Sequence, residues 1–196
     1  MSTIMKLLLI VIVAAQSVIL VGCVAAVGAG VVTGAAVAYD RRSTGTFIDD
    51  ETIELKAIGA LQDDKQLWDY SHINVTSVNN IVLLTGESPS EAMRQQAAQI
   101  VAKVQKVRKV HNEIIVAAPS SMTSRSGDTV TTGKVKTALL NSGKVDAVRI
   151  KVVTENGVVY LMGLVTEKEA NAASEVARRV GGVQRVVKVF EYIDDA

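Results

Sequence analysis

The sequence predicts an α+β fold in which one small α-β-β-α-β module occurs twice in tandem, each copy placing two helices on one face of a small mixed sheet. Three observations predict it: a self-match at a nearly fixed offset, the same order of helix and hairpin signals in each copy, and a serine- and glycine-bearing break between them. Setting Gly86 on Gly163, an offset of 77 residues, brings Ile73-Asn74-Val75 onto Ile150-Lys151-Val152. The same offset brings the run 81–86 onto 158–163 and sets Thr52 and Ile58 on Thr129 and Val135. Downstream the offset becomes 76, so that Val104, Val107 and Val110 meet Val180, Val183 and Val186, as one deleted residue would produce.

Each copy reads the same way from its start. Asp49-Asp50 and Asp128 are the expected caps of a first helix, which runs to about Leu61 in copy one and Leu140 in copy two. Alternating Ile73 and Val75, then Ile150 and Val152, predict a half-buried strand. Asn79-Asn80 and Asn156-Gly157 predict hairpin turns, because both tolerate positive φ. Ser88-Pro89-Ser90-Glu91 offers a cap, a proline suited to the first helical position and a capping acid, and Thr166-Glu167-Lys168-Glu169 repeats the signature. The second helices bury Ala97, Ile100, Val101 and Val104, or Ala173, Val176, Ala177 and Val180. A last strand closes each copy at Glu113–Ala117 and Val187–Ile193, with Pro119–Gly127 as the linker. The expected modules are therefore residues 49–118 and 128–196, joined by 119–127.

The N-terminus has a different character. A lone Lys6 precedes an apolar run from Leu7 to Val21, the architecture of a signal peptide over residues 1–22. It ends in Leu20-Val21-Gly22-Cys23, which resembles a lipobox: small residues let a peptidase approach the backbone, and the thiol takes the diacylglyceryl group. Cys23 is the only cysteine, so it serves neither an internal disulfide nor a multi-cysteine metal site. One acyl chain binds a membrane marginally, whereas the several chains of a processed lipoprotein hold it durably. Val24, rather than Asp, after the cysteine favours the outer membrane by analogy with lipoprotein sorting. Residues 23–48 then form the acylated terminus and a Gly/Ala-rich tether; Gly28, Gly30 and Gly34 leave open a second membrane contact or a self-association helix. Asp40-Arg41-Arg42 marks the exit into water.

Copy two carries Val152, Asn156-Gly157, Leu161, Gly163, Glu169, Ala177, Gly182-Val183 and Val186, and these residues resemble a BON domain. Copy one is the looser match, with Asn80 in place of the hairpin glycine and Gln105-Lys106-Val107 lacking the glycine seen at Gly182. From lipobox through two modules, the chain resembles the dual BON-domain outer-membrane lipoproteins of Gram-negative bacteria. That resemblance implies a periplasm-facing location and a part in envelope integrity, cell division and binding of anionic phospholipids.

Catalytic chemistry has no foothold in the sequence. It lacks HExxH, GxSxG, a phosphate-binding loop and GxGxxG in a strand-to-helix context, and no cofactor or metal ligand set is legible. His72 and His111 are the only histidines, and His72, at a strand start, has no counterpart in copy two; a surface or edge residue is the expectation. Asp63-Asp64 and Asp194-Asp195 are adjacent pairs and read as solvated surface. Net charge is +1 and aromatics make up 4%, which argues against nucleic acid and carbohydrate platforms. The expected activity is binding.

Charge separates the two copies. Asp49–Ala118 holds seven basic and ten acidic residues, while Asp128–Ala196 holds ten and nine. The first-helix segments differ more: Asp49–Lys65 carries a net −4 and Asp128–Lys144 a net +2. An anionic bilayer attracts each nearby Lys or Arg by about 1 kcal/mol, so the first helix of copy two is the expected lipid contact. Its candidate residues are Val130, Thr131, Lys134, Leu139, Lys144 and Val145, some of which must instead pack in the core. The competing expectation is a protein adaptor, in which acidic copy one or a sheet edge engages an envelope-assembly, division or cell-wall factor.

Overall fold

The computed structural model describes residues 40–194. The signal peptide, Cys23, the tether to residue 39 and Asp195 lie outside the described residues. In chain order the elements are α1 (Thr44–Asp63), α2 (Lys65–Tyr70), β1 (His72–Val78), β2 (Ile81–Ser88), α3 (Glu91–Ala102), β3 (Lys109–Asn112), β4 (Ile115–Val116), α4 (Met122–Ser142), a 3-10 turn (Ala147–Arg149), β5 (Lys151–Glu155), β6 (Val158–Val165), α5 (Glu167–Ala177) and β7 (Arg185–Tyr192). Both copies adopt the expected α+β arrangement. β2 pairs antiparallel with β1 and parallel with β3 and β4, and β6 pairs antiparallel with β5 and parallel with β7.

The first helices begin earlier than their aspartates suggest. Ser43 caps α1 by accepting the N–H of Thr46, and Ser121 caps α4 by accepting that of Ser124. Six residues of the expected linker, from Met122 to Gly127, are therefore helical. Asp50 and Asp128 sit inside the helices, where they hold the hairpins. Asp50 accepts the backbone N–H groups of Asn79 and Asn80 and the hydroxyl of Ser77, while Asp128 accepts those of Asn156 and Gly157. All four turn residues have positive φ, as the hairpin expectation required.

This corrects the repeat register. Asp50, Ala57 and Leu61 match Asp128, Val135 and Leu139 at an offset of 78, so Ala57 rather than Ile58 is the equivalent of Val135. Copy one spends its additional residue between first helix and first strand, where the unforeseen helix α2 buries Leu67. The downstream offset of 76 holds, since each valine of the two triplets packs against its module's core.

Two other boundaries move. The cap of α3 is Ser90, which accepts the N–H of Met93, and Pro89 stands before the helix rather than in its first turn. The last strand of copy one lies mostly before the expected Glu113–Ala117: β3 is Lys109–Asn112, and β4, Ile115–Val116, alone falls within that span, because Ile114 turns into the core and Arg94 takes the carbonyls of Asn112 and Ile114. Thr166 forms the full capping box with Glu169 that was expected of it.

The central strands β2 and β6 are covered on both faces. Val82 and Leu84 of β2 face the helices of their module, as do Val159 and Leu161 of β6. Leu83 and Val78 face the opposite way and join Tyr160, Met162 and Val189 in a third apolar cluster that fastens one sheet to the other. The layering is helices, sheet, sheet, helices. Burial of Tyr160 in this seam pushes its phenol up to about 12.

Candidate functional site

Two surfaces stand out: the seam between the sheets and the outward face of α4. The seam follows from strand alternation. Along β1 and β2, His72, Asn74, Thr85 and Glu87 share the face that carries Val78 and Leu83, and the cross-strand partners His72–Glu87 and Asn74–Thr85 bring all four together. The seam is thus apolar at one end and polar at the other. Glu155, at the end of β5, reaches the polar end from the second module. It accepts the Asn74 amide at 2.7 Å and the Thr85 hydroxyl at 3.4 Å. Asn156 crosses in the same direction to donate to Glu87 at 2.6 Å.

A second crossing closes the far side of the seam. Glu191 of β7 accepts the Asn79 amide at 2.5 Å and Arg108 at 2.8 Å. The Arg108 hydrogen bond holds the Glu191 carboxyl below its usual range. Burial does the reverse to Glu155, aided by the charges of Glu87 and Asp128, and raises its pKa despite the donors around it. Burial, with the Arg125 charge, lowers that of His72 and favours the neutral imidazole.

The segment leaving the tether is also fixed. Arg42 lies 5.6 Å from the Phe47 ring centroid and bridges Asp40 at 2.7 Å and Asp50 at 2.9 Å. Its neighbour Arg41 reaches Glu169 of the second module at 2.6 Å. The Asp40-Arg41-Arg42 stretch, expected simply to enter water, therefore grips both modules.

The structure sorts the lipid-contact candidates. Leu139 and Thr131 are buried, and Val145 packs against the second core, so these three face inward. Lys134 and Lys144 are exposed, as is Val130 at 57%. Leu140, which ended the expected helix but was not among the candidates, is 64% exposed. Val130, Gly133, Lys134, Thr137, Leu140 and Asn141 form the ridge opposite Val135 and Leu139. The acid nearest this ridge in sequence, Asp128, is turned inward to its hairpin.

Sequence reasoning missed the seam. Its signal was present in the unbroken apolar runs Ile81–Leu84 and Val158–Met162, which suit strands covered on both faces better than strands with one wet side. The sequence predicts a surface or edge position for His72; the structure sets it beside Glu87 and Glu155, with their nearest ligating atoms within 4.8 Å of one another.

Residues 49–118 and 127–194 each match the BON domain, and the chain belongs to the BON-domain family. Among its relatives it is 41% identical over 178 residues to the Outer membrane lipoprotein DolP of Haemophilus influenzae, covering 91% of this chain and 92% of that protein. It is 38% identical over 154 residues to the 21 kDa hemolysin of Actinobacillus pleuropneumoniae, covering 79% of each. To the Osmotically-inducible protein Y of Escherichia coli it is 31% identical over 156 residues, covering 78% of this chain and 77% of that one. The protein is a dual BON-domain outer-membrane lipoprotein. Among the described residues no helix is long and apolar enough to cross a membrane.

Proposed function

We propose that the protein binds anionic phospholipid through the outer face of α4 while acylated Cys23 tethers it to the outer membrane, facing the periplasm. In that position it supports envelope integrity and cell division without catalysing a reaction. The observation that carries this reading is the α4 ridge, where two exposed apolar side chains, Val130 and Leu140, lie among Lys134, Lys144 and neutral residues. The apolar pair suits the headgroup boundary and the lysines suit the negative surface. Of the six candidate residues, Val130, Lys134 and Lys144 would touch lipid, and Thr131, Leu139 and Val145 would hold the helix in place.

The described residues 40–194 lie within one compact unit, so a 39–196 fragment lets lipid binding be measured without the anchor. The fragment should sediment with vesicles containing phosphatidylglycerol and not with phosphatidylcholine vesicles. Exchanging both lysines, Lys134→Glu with Lys144→Glu, should abolish the difference, and raising salt should weaken it. Equal sedimentation with both vesicle types would overturn the proposal.

A second reading rests on α1. Ile48 and Leu55, 60% and 71% exposed, lie one heptad apart on the same face of an acidic helix. An apolar stripe among acids is poorly matched to an anionic bilayer and suits a protein partner, such as an envelope-assembly or division factor. In-cell cross-linking from Leu55 that survives charge reversal on α4 would support a partner there.

A further inference from the structure

We propose that His72, Glu87 and Glu155 form a binding site for one divalent transition-metal ion, best suited to zinc, that pins the two modules together. Nothing in the lipid reading depends on it.

The geometry is built by the sheets. His72 and Glu87 are a cross-strand pair on β1 and β2, so their side chains leave the same face, and Glu155 meets them from β5 of the other module. One ligating atom from each of the three residues lies within 4.8 Å of the other two. A tetrahedral zinc ion with bonds of about 2.0–2.2 Å wants its ligands roughly 3.4 Å apart, so the three need only draw in around it.

The donor set already looks like one held for a cation. Glu87 is 1% exposed; Asn156 donates to its Oε1, while its Oε2 has no hydrogen-bonding partner. A buried carboxylate oxygen left bare is costly, and a metal ion would satisfy it. The Asn74 amide donates to Glu155 Oε2 at 2.7 Å and so orients that carboxylate as an outer-shell residue does; its 3.2 Å contact with His72 Nε2 holds the ring only until that nitrogen takes the ion. His72 is only partly buried and borders a cavity of about 410 Å³ shared with Asn74, Arg125, Asp128 and Glu155, which supplies an entry path.

Charge agrees. The charged groups around the cleft are Glu87, Glu155 and Asp128 against Arg125 of α4. An imidazole nitrogen with two carboxylates suits zinc better than calcium, which takes six to eight oxygens. The site occurs once, because the positions matching His72, Asn74, Thr85 and Glu87 in copy two are Arg149, Lys151, Met162 and Leu164.

The test uses the full chain in a non-ionic detergent, stripped with a chelator and titrated with zinc chloride. One equivalent should bind and raise the melting temperature followed by circular dichroism. His72→Ala and Glu87→Gln should each remove that rise, and Asn74→Ala should weaken binding about 10–100-fold. The zinc absorption edge should show nitrogen and oxygen neighbours without sulfur, which separates this site from Cys23. Should Glu87→Gln fail to fold, the partly exposed His72 decides the matter. No stoichiometric binding, a sulfur neighbour, or an unchanged melting shift in His72→Ala would overturn the proposal.

Discussion

Asn156, at the turn of the second hairpin, donates to Glu87 at the end of the first module's central strand, 2.6 Å away. Asn79, the equivalent turn residue of the first hairpin, reaches in the opposite direction to Glu191. Each module thus uses the residue that makes its own turn to hold the other's sheet. The apolar cluster around Leu83 and Tyr160 joins the same two sheets, so the modules should unfold together in one transition.

The glycines that align the repeats have a steric task. A Cβ on Gly86 would stand 1.9 Å from the carbonyl oxygen of His72, and one on Gly163 would stand 2.3 Å from that of Arg149. Both also have φ above +110°. Gly86→Ala and Gly163→Ala should each cost at least about 3 kcal/mol by urea denaturation. Gly59→Ala, in α1 with nothing near its Cβ, should instead gain about 0.5–1 kcal/mol.

The two hairpin-holding aspartates should differ in cost. Asp50 accepts two backbone N–H groups, the Ser77 hydroxyl and Arg42, whereas Asp128 accepts the two backbone groups. Asp50→Ala leaves two backbone N–H groups and the Ser77 hydroxyl without their acceptor, and Arg42 with Asp40 as its remaining carboxylate, and should cost about 2–4 kcal/mol. Asp128→Ala should cost about 1–3 kcal/mol, the range for unsatisfied buried donors. Equal losses in denaturation midpoint would contradict this ranking.

Lys106 occupies the position that copy two gives to Gly182, and it takes the same left-handed backbone, at φ 72. Its ion pair with Asp49, 2.6 Å and largely exposed, offsets little of that strain. Lys106→Gly should therefore be more stable than Lys106→Ala by about 1 kcal/mol, since both lose the pair and only alanine retains the strain. Thermal melts of the two variants side by side check it.

Glu155 should make stability depend on pH in an unusual direction. Burial raises its pKa above the ordinary 4.5, so just above that pH the folded chain binds more protons than the unfolded one. Its contribution is then fully present below 4.5 and lost as pH rises through the folded value. Glu155→Gln keeps an acceptor for Asn74 without the charge. Measured with chelator present, its stability relative to the unaltered chain should climb from pH 4.5 upward and level off once Glu155 is ionised. A flat difference would show that the carboxyl is not penalised.

How much was legible depends on the range of the interaction. The strand alternation at Ile73–Val75, the paired-asparagine turn, the Thr166 capping box and the valine triplets of the crossovers are local patterns, and each was readable. Helix starts were misread because an aspartate that caps a helix and one that reaches a hairpin 29 residues away look identical in sequence. Leu139 could not be told from Leu140, since one position rotates a side chain by about 100° and only the packed sheet decides which turns inward.

By itself the sequence determined the duplicated α+β module, the chain's place among BON-domain lipoproteins and the contrast in charge between the copies, because these rest on periodicity and composition. The tertiary structure decided that the sheets lie face to face, which residues of α4 remain outside, and that His72 meets Glu87 and Glu155. The reason is physical: a strand's alternation states which residues share a face, but not what covers that face. Here the cover for each sheet is the other copy, supplied by residues about 70 positions distant, such as Asn156 against Glu87.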